Sequence, residues 1–277
     1  MVSKSFPNGI TIHGFQTGTV AVKKAHYQYS GLGSLRMPVI LASGRWVDPM
    51  PIWCWLIESA KGNILVDTGE STSFYDSSHL AGADAFVNRR ILKIQIEKSQ
   101  ELAEQLKQIN KHPDDIDAVI MTHLHLDHVD GIQFFPKAEF LVSQLEMQRP
   151  FGVPFSAIPN WFKPIELYEE QVDFPFEWGF SLTDDITILA TPGHTHGHQS
   201  VLVSTGNGYV LLAGDTTFDQ DQLLKGKIGG INIDLKRSRQ TLKNIKKLAR
   251  EVDLIYLPSH DAESGRRLVE NACLELS

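Results

Sequence analysis

The chain is poor in cysteine: only Cys54 and Cys273, far apart. Two isolated thiols frame neither a disulfide scaffold nor a Cys-rich zinc site, and a reducing compartment is the default expectation. There is no run of about 20 apolar residues, which excludes a membrane-spanning helix. The start, MVSKSFPNGITIHG, lacks the apolar stretch of a secretory signal. Repeats, low-complexity tracts and a Gly/Ser/Pro-rich linker are missing as well, so residues 1–277 are expected to form one domain in the cytoplasm. Positive charge is in deficit. Lys+Arg number 26 against 33 Asp+Glu, a net charge of -7, which argues against a nucleic-acid partner. The one basic cluster, Lys236, Arg237, Arg239, Lys243, Lys246, Lys247 and Arg250, reads as the solvated face of a helix.

What is present is an ordinary globular composition, 42% hydrophobic and 21% charged. Short apolar runs ending in turn residues predict strands: PIWCWLIES and GNILVDTG around a turn at Lys61–Asn63, then DAVIMT, AEFLVS and ITILAT. SVLVSTGNGYVLLAGD predicts a hairpin through Gly206–Gly208, and DLIYLPSH a last strand. Helical spacing appears in SQELAEQLKQIN, with Ser99 as the expected N-cap and Leu102, Leu106 and Ile109 on one face. It appears again in SRQTLKNIKKLAREV, through Leu242, Ile245, Leu248 and Val252. Strands mixed with helices and frequent hairpins predict an α/β (α+β) fold of mixed sheets covered by helices. Residues 20–52, 71–98 and 148–180 carry no clear pattern; loops this long are usually lids or binding walls. GLGSL at 31–35 is half of a phosphate-binding glycine loop without its strand and helix, and is given no function.

The stretch MTHLHLDHVDG, residues 121–131, crowds His123, His125, Asp127 and His128 together. Such crowding rarely serves a fold but suits a metal. His194 follows ITILA, Asp215 closes YVLLAGD and His260 closes LIYLPSH. All sit at ends of predicted strands, where side chains can converge on one sheet edge. Seven candidate ligands are too many for one tetrahedral ion and fit two ions sharing a carboxylate. His123 and His125, two apart in an extended loop, point the same way. Asp127 and His128 come as the chain turns into a helix. His13, His26, His79 and His112 lie outside these clusters and read as surface or core positions. His196 is left without a role.

His-x-His-x-Asp-His with a later His, Asp and His, together with ILVDTG and LLAGD, resembles the metallo-β-lactamase-fold hydrolases over roughly Trp53 to His260. The resemblance implies an αβ/βα sandwich of two mixed sheets flanked by helices, with two Zn²⁺, or other first-row divalent ions, at one edge. It implies that one ion takes His123, His125 and His194, that the other takes Asp127, His128 and His260, and that Asp215 bridges them. Asp67 matches a position that orients a metal-binding His, and His198 a supporting position. Two such ions bring a bridging hydroxide to attack a carbonyl, with Asp127 passing a proton to the leaving alkoxide.

Within this superfamily, the main zinc β-lactamases carry Cys where Asp215 stands, and flavodiiron reductases carry Glu where His125 stands. The chain is most similar to the quorum-quenching N-acyl-homoserine lactone lactonases. A small lactone with an apolar acyl chain is the expected partner, contacted by Phe218, Met37, Met50 and Trp53 in the apolar segments 33–53 and 149–162. Nucleic acid and membrane are not expected, and a homodimer is compatible with the sequence. One departure stands out: many of these lactonases place Tyr where this chain has Phe218. Loss of one such donor costs roughly 2.7–4 kcal/mol. Two other readings therefore stay open: hydrolysis of another lactone, ester or organophosphate, and a silent metal-binding protein, against which the intact ligand set argues.

Overall fold

The computed structural model describes residues 1–29, 31, 35–80, 82–171 and 176–276. Residues 32–34, the middle of GLGSL, lie outside them. Among the described residues the strands form two sheets, one from each half of the chain. The first is eight-stranded: β1 Val2–Ser5, β2 Thr11–Val22, β3 Met50–Ser59, β4 Gly62–Val66, β5 Leu92–Gln95, β6 Ala118–Ile120, β7 Glu139–Ser143 and β8 Ile165–Leu167. Its order is β1-β2-β3-β4-β6-β7-β8, with β5 paired to β2. The second is six-stranded: β9 Glu170–Gln171, β10 Trp178–Ser181, β11 Ile186–Ala190, β12 Gln199–Ser204, β13 Tyr209–Gly214 and β14 Leu254–Pro258, in the order β14-β13-β12-β11-β10-β9. The helices are α1 Lys24–Tyr27, α2 Arg36–Ala42, α3 Gly82–Ile91, α4 Leu102–Gln105, α5 Leu126–Val129, α6 Gln144–Gln148, α7 Gln220–Lys225, α8 Leu235–Glu251 and α9 Ser264–Glu270. No helix among the described residues is long and apolar enough to cross a membrane.

Both faces of the inner strands are buried, so these strands read as near-continuous apolar runs whose alternate residues enter different cores. Trp55 and Ile57 of β3, Ile64 and Val66 of β4, Val201 and Val203 of β12, and Ile255 and Leu257 of β14 meet in a core between the sheets. Their neighbours point outward. Cys54, Leu56 and Leu65 pack under Leu102, Leu106 and Val129. Leu202, Leu211 and Tyr256 pack under Leu242, Ile245 and Leu248 of α8. Helix, sheet, sheet and helix thus stack as an αβ/βα sandwich. The basic residues of α8 lie on its outer face, all exposed except the half-buried Lys246.

One local expectation differs from the structure, and one strand was not expected. The 99–110 segment is not one helix capped by Ser99. It breaks into a 3-10 turn at Lys98–Gln100, α4, and a second 3-10 turn at Leu106–Ile109. Glu101 causes the break: its buried carboxylate accepts from the N–H and Oγ1 of Thr72, at 3.0 and 2.5 Å, and holds its own backbone out of helix at ψ 139. Strand β2 runs through a segment with no period-two pattern. It contains Gly14 and Gly18, and its register on β3 shifts between Gln16 and Thr19.

Strand direction positions the site. β4 and β6 run parallel, as do β13 and β14, and β11 is brought parallel to β13 by two successive antiparallel pairings through β12. The C-terminal ends of β4 and β6 therefore share one edge of the first sheet, and those of β11, β13 and β14 one edge of the second.

Candidate functional site

Those strand ends carry the residues singled out in the sequence. β6 is followed by His123, His125 and then α5, which holds Asp127 and His128. β4 ends one residue before Asp67, whose N–H continues the ladder to Ile120 O at 2.9 Å. The chain must turn sharply there. Asp67 has φ 59, a left-handed conformation that Asp tolerates better than most side chains. Thr68 then hydrogen-bonds His128 O through both its N–H (3.0 Å) and its Oγ1 (2.7 Å), seating α5 against the turn. Gly131 permits that seating, since a Cβ there would collide with the Thr68 carbonyl.

The seven residues expected to hold metal converge from both sheets. Ligand-type atoms of His123, His125 and His194 lie within 4.8 Å of one another, as do those of His123, His128 and Asp215, and those of Asp127, His128 and His260. The two carboxylates join the groups. Asp215 reaches His260 Nε2 at 3.3 Å and His194 Nε2 at 3.6 Å, and Asp127 reaches His260 Nε2 at 3.3 Å.

The chemistry of each imidazole follows from what its other nitrogen touches. A carbonyl oxygen can only accept, so the nitrogen facing it must carry the proton. His194 Nδ1 faces Ile231 O at 2.8 Å, His260 Nδ1 faces Pro51 O at 2.9 Å and His125 Nε2 faces Phe151 O at 3.1 Å. His128 Nδ1 lies 2.7 Å from Asp67 Oδ2, and the same carboxylate accepts from Thr122 N and Oγ1. The opposite nitrogens are aimed inward, at one another and at the two carboxylates. His198 is different. Its Nε2 accepts the Asp215 N–H at 3.0 Å, so it braces the Asp215 backbone and has no lone pair to spare.

A cation fits this donor set. His123 Nε2, His128 Nε2 and Asp215 Oδ1 are buried and have no hydrogen-bond partner, an expensive state for polar atoms. His128 Nε2 and Asp215 Oδ1 approach to 3.4 Å without forming one. His125 Nδ1 and His194 Nε2 face each other at 2.9 Å. With protons committed to carbonyls on their far sides, that contact sets two lone pairs together unless positive charge lies between them. Burial holds His125 below the usual imidazole range, and His194 and His123 well below it, so protons alone fill this need poorly between these three. His128 runs the other way. Burial would lower it, but Asp67, Asp215 and Asp127 outweigh burial and raise it. Burial would likewise raise Asp215, and the neighbouring His260 and His128 hold it well below the carboxylate range instead.

The cluster opens onto a cavity of ≈ 260 Å³. Asp127, Asp215 and His260 form its polar end, and Val20, Val22, Met37, Val87, Ile91 and Phe218 are among its apolar walls. Of the four residues expected to contact a substrate, Met37 and Phe218 line this cavity, and Met50 and Trp53 do not. The indole of Trp53 stacks on Trp55 at 5.4 Å and donates to Asp261 O at 3.0 Å, and Met50 packs at the edge of another apolar cluster. Both belong to β3, whose side chains are taken up by the cores. The walls from β2, α3 and β5 carry no motif in the sequence. His26 also borders the cavity, and burial lowers it to about 3. A lone histidine with no spacing partner gives no signal of this.

Glu146, in α6, is a further residue without a sequence signal. Buried, it accepts from Leu124 N (3.2 Å), Thr195 Oγ1 (2.6 Å) and Gly197 N (3.0 Å), tying the His123–His125 loop to the loop that carries His194.

With fold and site in place, the class follows. Residues 47–260 match the family model of the metallo-beta-lactamase superfamily, and the chain belongs to that superfamily. Within it, the chain is 28% identical over 257 residues to the N-acyl homoserine lactonase AiiA of Bacillus thuringiensis subsp. kurstaki, covering 89% of this chain and 96% of that protein. Its fold is similar to that of an N-acyl homoserine lactone hydrolase solved with the product N-hexanoyl-L-homoserine at the catalytic metal center (TM-score 0.74, 20% identity, 98% of each chain). It is also similar to AidC, a dizinc quorum-quenching lactonase solved with a product (TM-score 0.64, 18% identity, 95% and 92%).

Proposed function

We propose that this chain is a metal-dependent hydrolase that opens the lactone ring of N-acyl-homoserine lactones. One observation carries the reading: seven side chains bring ligand atoms within reach of one another beside the polar end of an apolar cavity, and three of those atoms are buried without a partner. His123, His125 and His194 would hold one divalent ion, Asp127, His128 and His260 a second, with Asp215 shared. Zinc suits this set of imidazoles and carboxylates. When bound, such ions would supply Lewis acidity and acidify a coordinated water.

The chain's own residues do the rest. Asp67 and the carbonyls of Pro51, Phe151 and Ile231 accept from the outer nitrogens and turn the inner ones toward the ions. Asp127 borders the cavity, which supports it as the group that carries a proton to the leaving oxygen. The apolar walls take the acyl chain and exclude water from it.

Phe218 at the cavity favours a second reading: a substrate that needs no donor at that position, such as another lactone, ester or organophosphate. The test is proton release from a panel of these esters by zinc-loaded protein, alongside metal analysis. Lactone turnover with about two ions per chain is expected. Inert lactones beside a fast phosphotriester would replace the first reading with the second, and one ion at full activity would remove the paired-ion site.

A further inference from the structure

Phe218 fills space at the cavity and has no group to donate. Its ring lies between two imidazoles, 5.6 Å from His260 and 5.6 Å from His26. His260 belongs to the cluster at the strand ends. His26 comes from α1 and serves none of the roles above, yet it borders the same cavity as His125, Asp215 and His260. It is buried, and its Nδ1 is sealed with no hydrogen-bond partner.

The backbone around it is held firmly. Its N–H donates to Lys23 O at 2.8 Å, and its carbonyl accepts from Gly230 N at 2.5 Å. The approach of Gly230 is so close that a Cβ there would collide with the Ala25 carbonyl. A fixed, buried imidazole without a partner costs stability, and here the cost falls beside the reacting centre.

Other polar groups around Phe218 are committed. Tyr27 stacks on the ring at 5.4 Å, but its hydroxyl donates to Asp219. Gln222 spends its oxygen on Phe218 N and its amide nitrogen on Tyr27 O. A neutral imidazole has one N–H, and with Nδ1 sealed the polar contact left to a ligand is Nε2.

We propose that His26 is a catalytic residue of this chain: its Nε2–H donates to the carbonyl oxygen of the substrate ester in place of the hydroxyl that Phe218 lacks. The proposal rests on the lactonase reading. As the attacking oxygen adds to the carbonyl carbon, negative charge grows on the carbonyl oxygen, and a fixed donor there stabilises the transition state.

The test uses the zinc-loaded protein. His26→Ala should lower kcat on an acyl-homoserine lactone about 10²-fold, with KM changed less than about threefold. Phe218→Tyr placed on the His26→Ala background should restore kcat to within about tenfold of wild type, which a packing role for His26 would not produce. Calorimetry gives a readout without turnover. The ring-opened acid should bind His26→Ala about tenfold more weakly, at unchanged metal content. Where alanine disturbs the fold, His26→Phe keeps a ring without the N–H and should show the same losses. Wild-type kcat and product affinity in either variant would overturn the proposal, and so would a loss that Tyr at 218 leaves unrestored. If the wild-type protein opens no lactone, the functional reading fails by itself. The variants are then compared on the ester it does hydrolyse, and equal rates there overturn the role of His26.

Discussion

Asp67→Asn replaces one oxygen by an NH₂ group and leaves shape almost unchanged. Asn also tolerates the φ of 59 found at this position, so the turn after β4 should survive. The hydrogen-bond pattern does not. Oδ1 accepts the Thr122 N–H at 2.7 Å, while Oδ2 accepts from Thr122 Oγ1 at 2.8 Å and meets His128 Nδ1 at 2.7 Å. An asparagine must keep its oxygen toward the Thr122 N–H, which can only donate. Its NH₂ then faces His128 Nδ1, which has to accept. The imidazole proton moves to Nε2, the nitrogen now buried without a partner at the cluster. Removing such a supporting carboxylate typically costs 10–100-fold in metal affinity, about 1.4–2.7 kcal/mol. Competition against a chromogenic chelator measures this directly, with thermal unfolding of the metal-free proteins as a control for folding. An affinity for both ions within about threefold of wild type would show that Asp67 does not set the protonation of His128.

Glu146→Ala removes the acceptor of three buried donors and should destabilise the chain by about 3 kcal/mol or more, read from the urea midpoint. His79 donates to the buried Asp130, and that hydrogen bond lifts it above the usual imidazole value. A raised folded-state pKa gives stability that is fully present below about pH 6.5 and lost as pH rises through the raised value. The stability gap between wild type and His79→Gln should therefore shrink with rising pH; a constant gap would sink the assignment. For acyl-homoserine lactones, each added methylene that enters the ≈ 260 Å³ cavity should improve kcat/KM by at most about fourfold, from about 0.8 kcal/mol, until the cavity is full. A flat chain-length series would place the acyl group elsewhere.

The candidate ligands were legible because they need local chemistry at strand ends, and both signals are short-range. An apolar run ending in His or Asp shows its role within a few residues, as in LIYLPSH. The cavity wall was not legible. Val20, Val22, Val87 and Ile91 are ordinary apolar residues whose shared surface arises only when β2, α3 and β5 pack. Trp53 illustrates the opposite error: an aromatic next to an apolar stretch suggests a pocket, and the inter-sheet core claims it. Glu146 and His26 gave no signal for the same reason, since each acts on chain segments far away in sequence. Strand β2 escaped because burial on both faces erases the alternation on which a strand is recognised, and its two glycines resemble turns.

The candidate ligands all follow residue 122, whereas Val20, Val22, Met37, Val87 and Ile91 precede residue 92. Much of the wall is thus encoded apart from the ligands, although Phe151, Phe218 and Ile231 of the later stretch line the cavity too. Substitutions in the early stretch can reshape what fits while the later stretch is inherited intact. A recombinant joined between Gln95 and Ala118, after β5 and before β6, would carry one parent's β2, α2, α3 and β5 part of the wall onto the other's ligands. Diversification of substrate range by exchange of segments is a route this architecture leaves open.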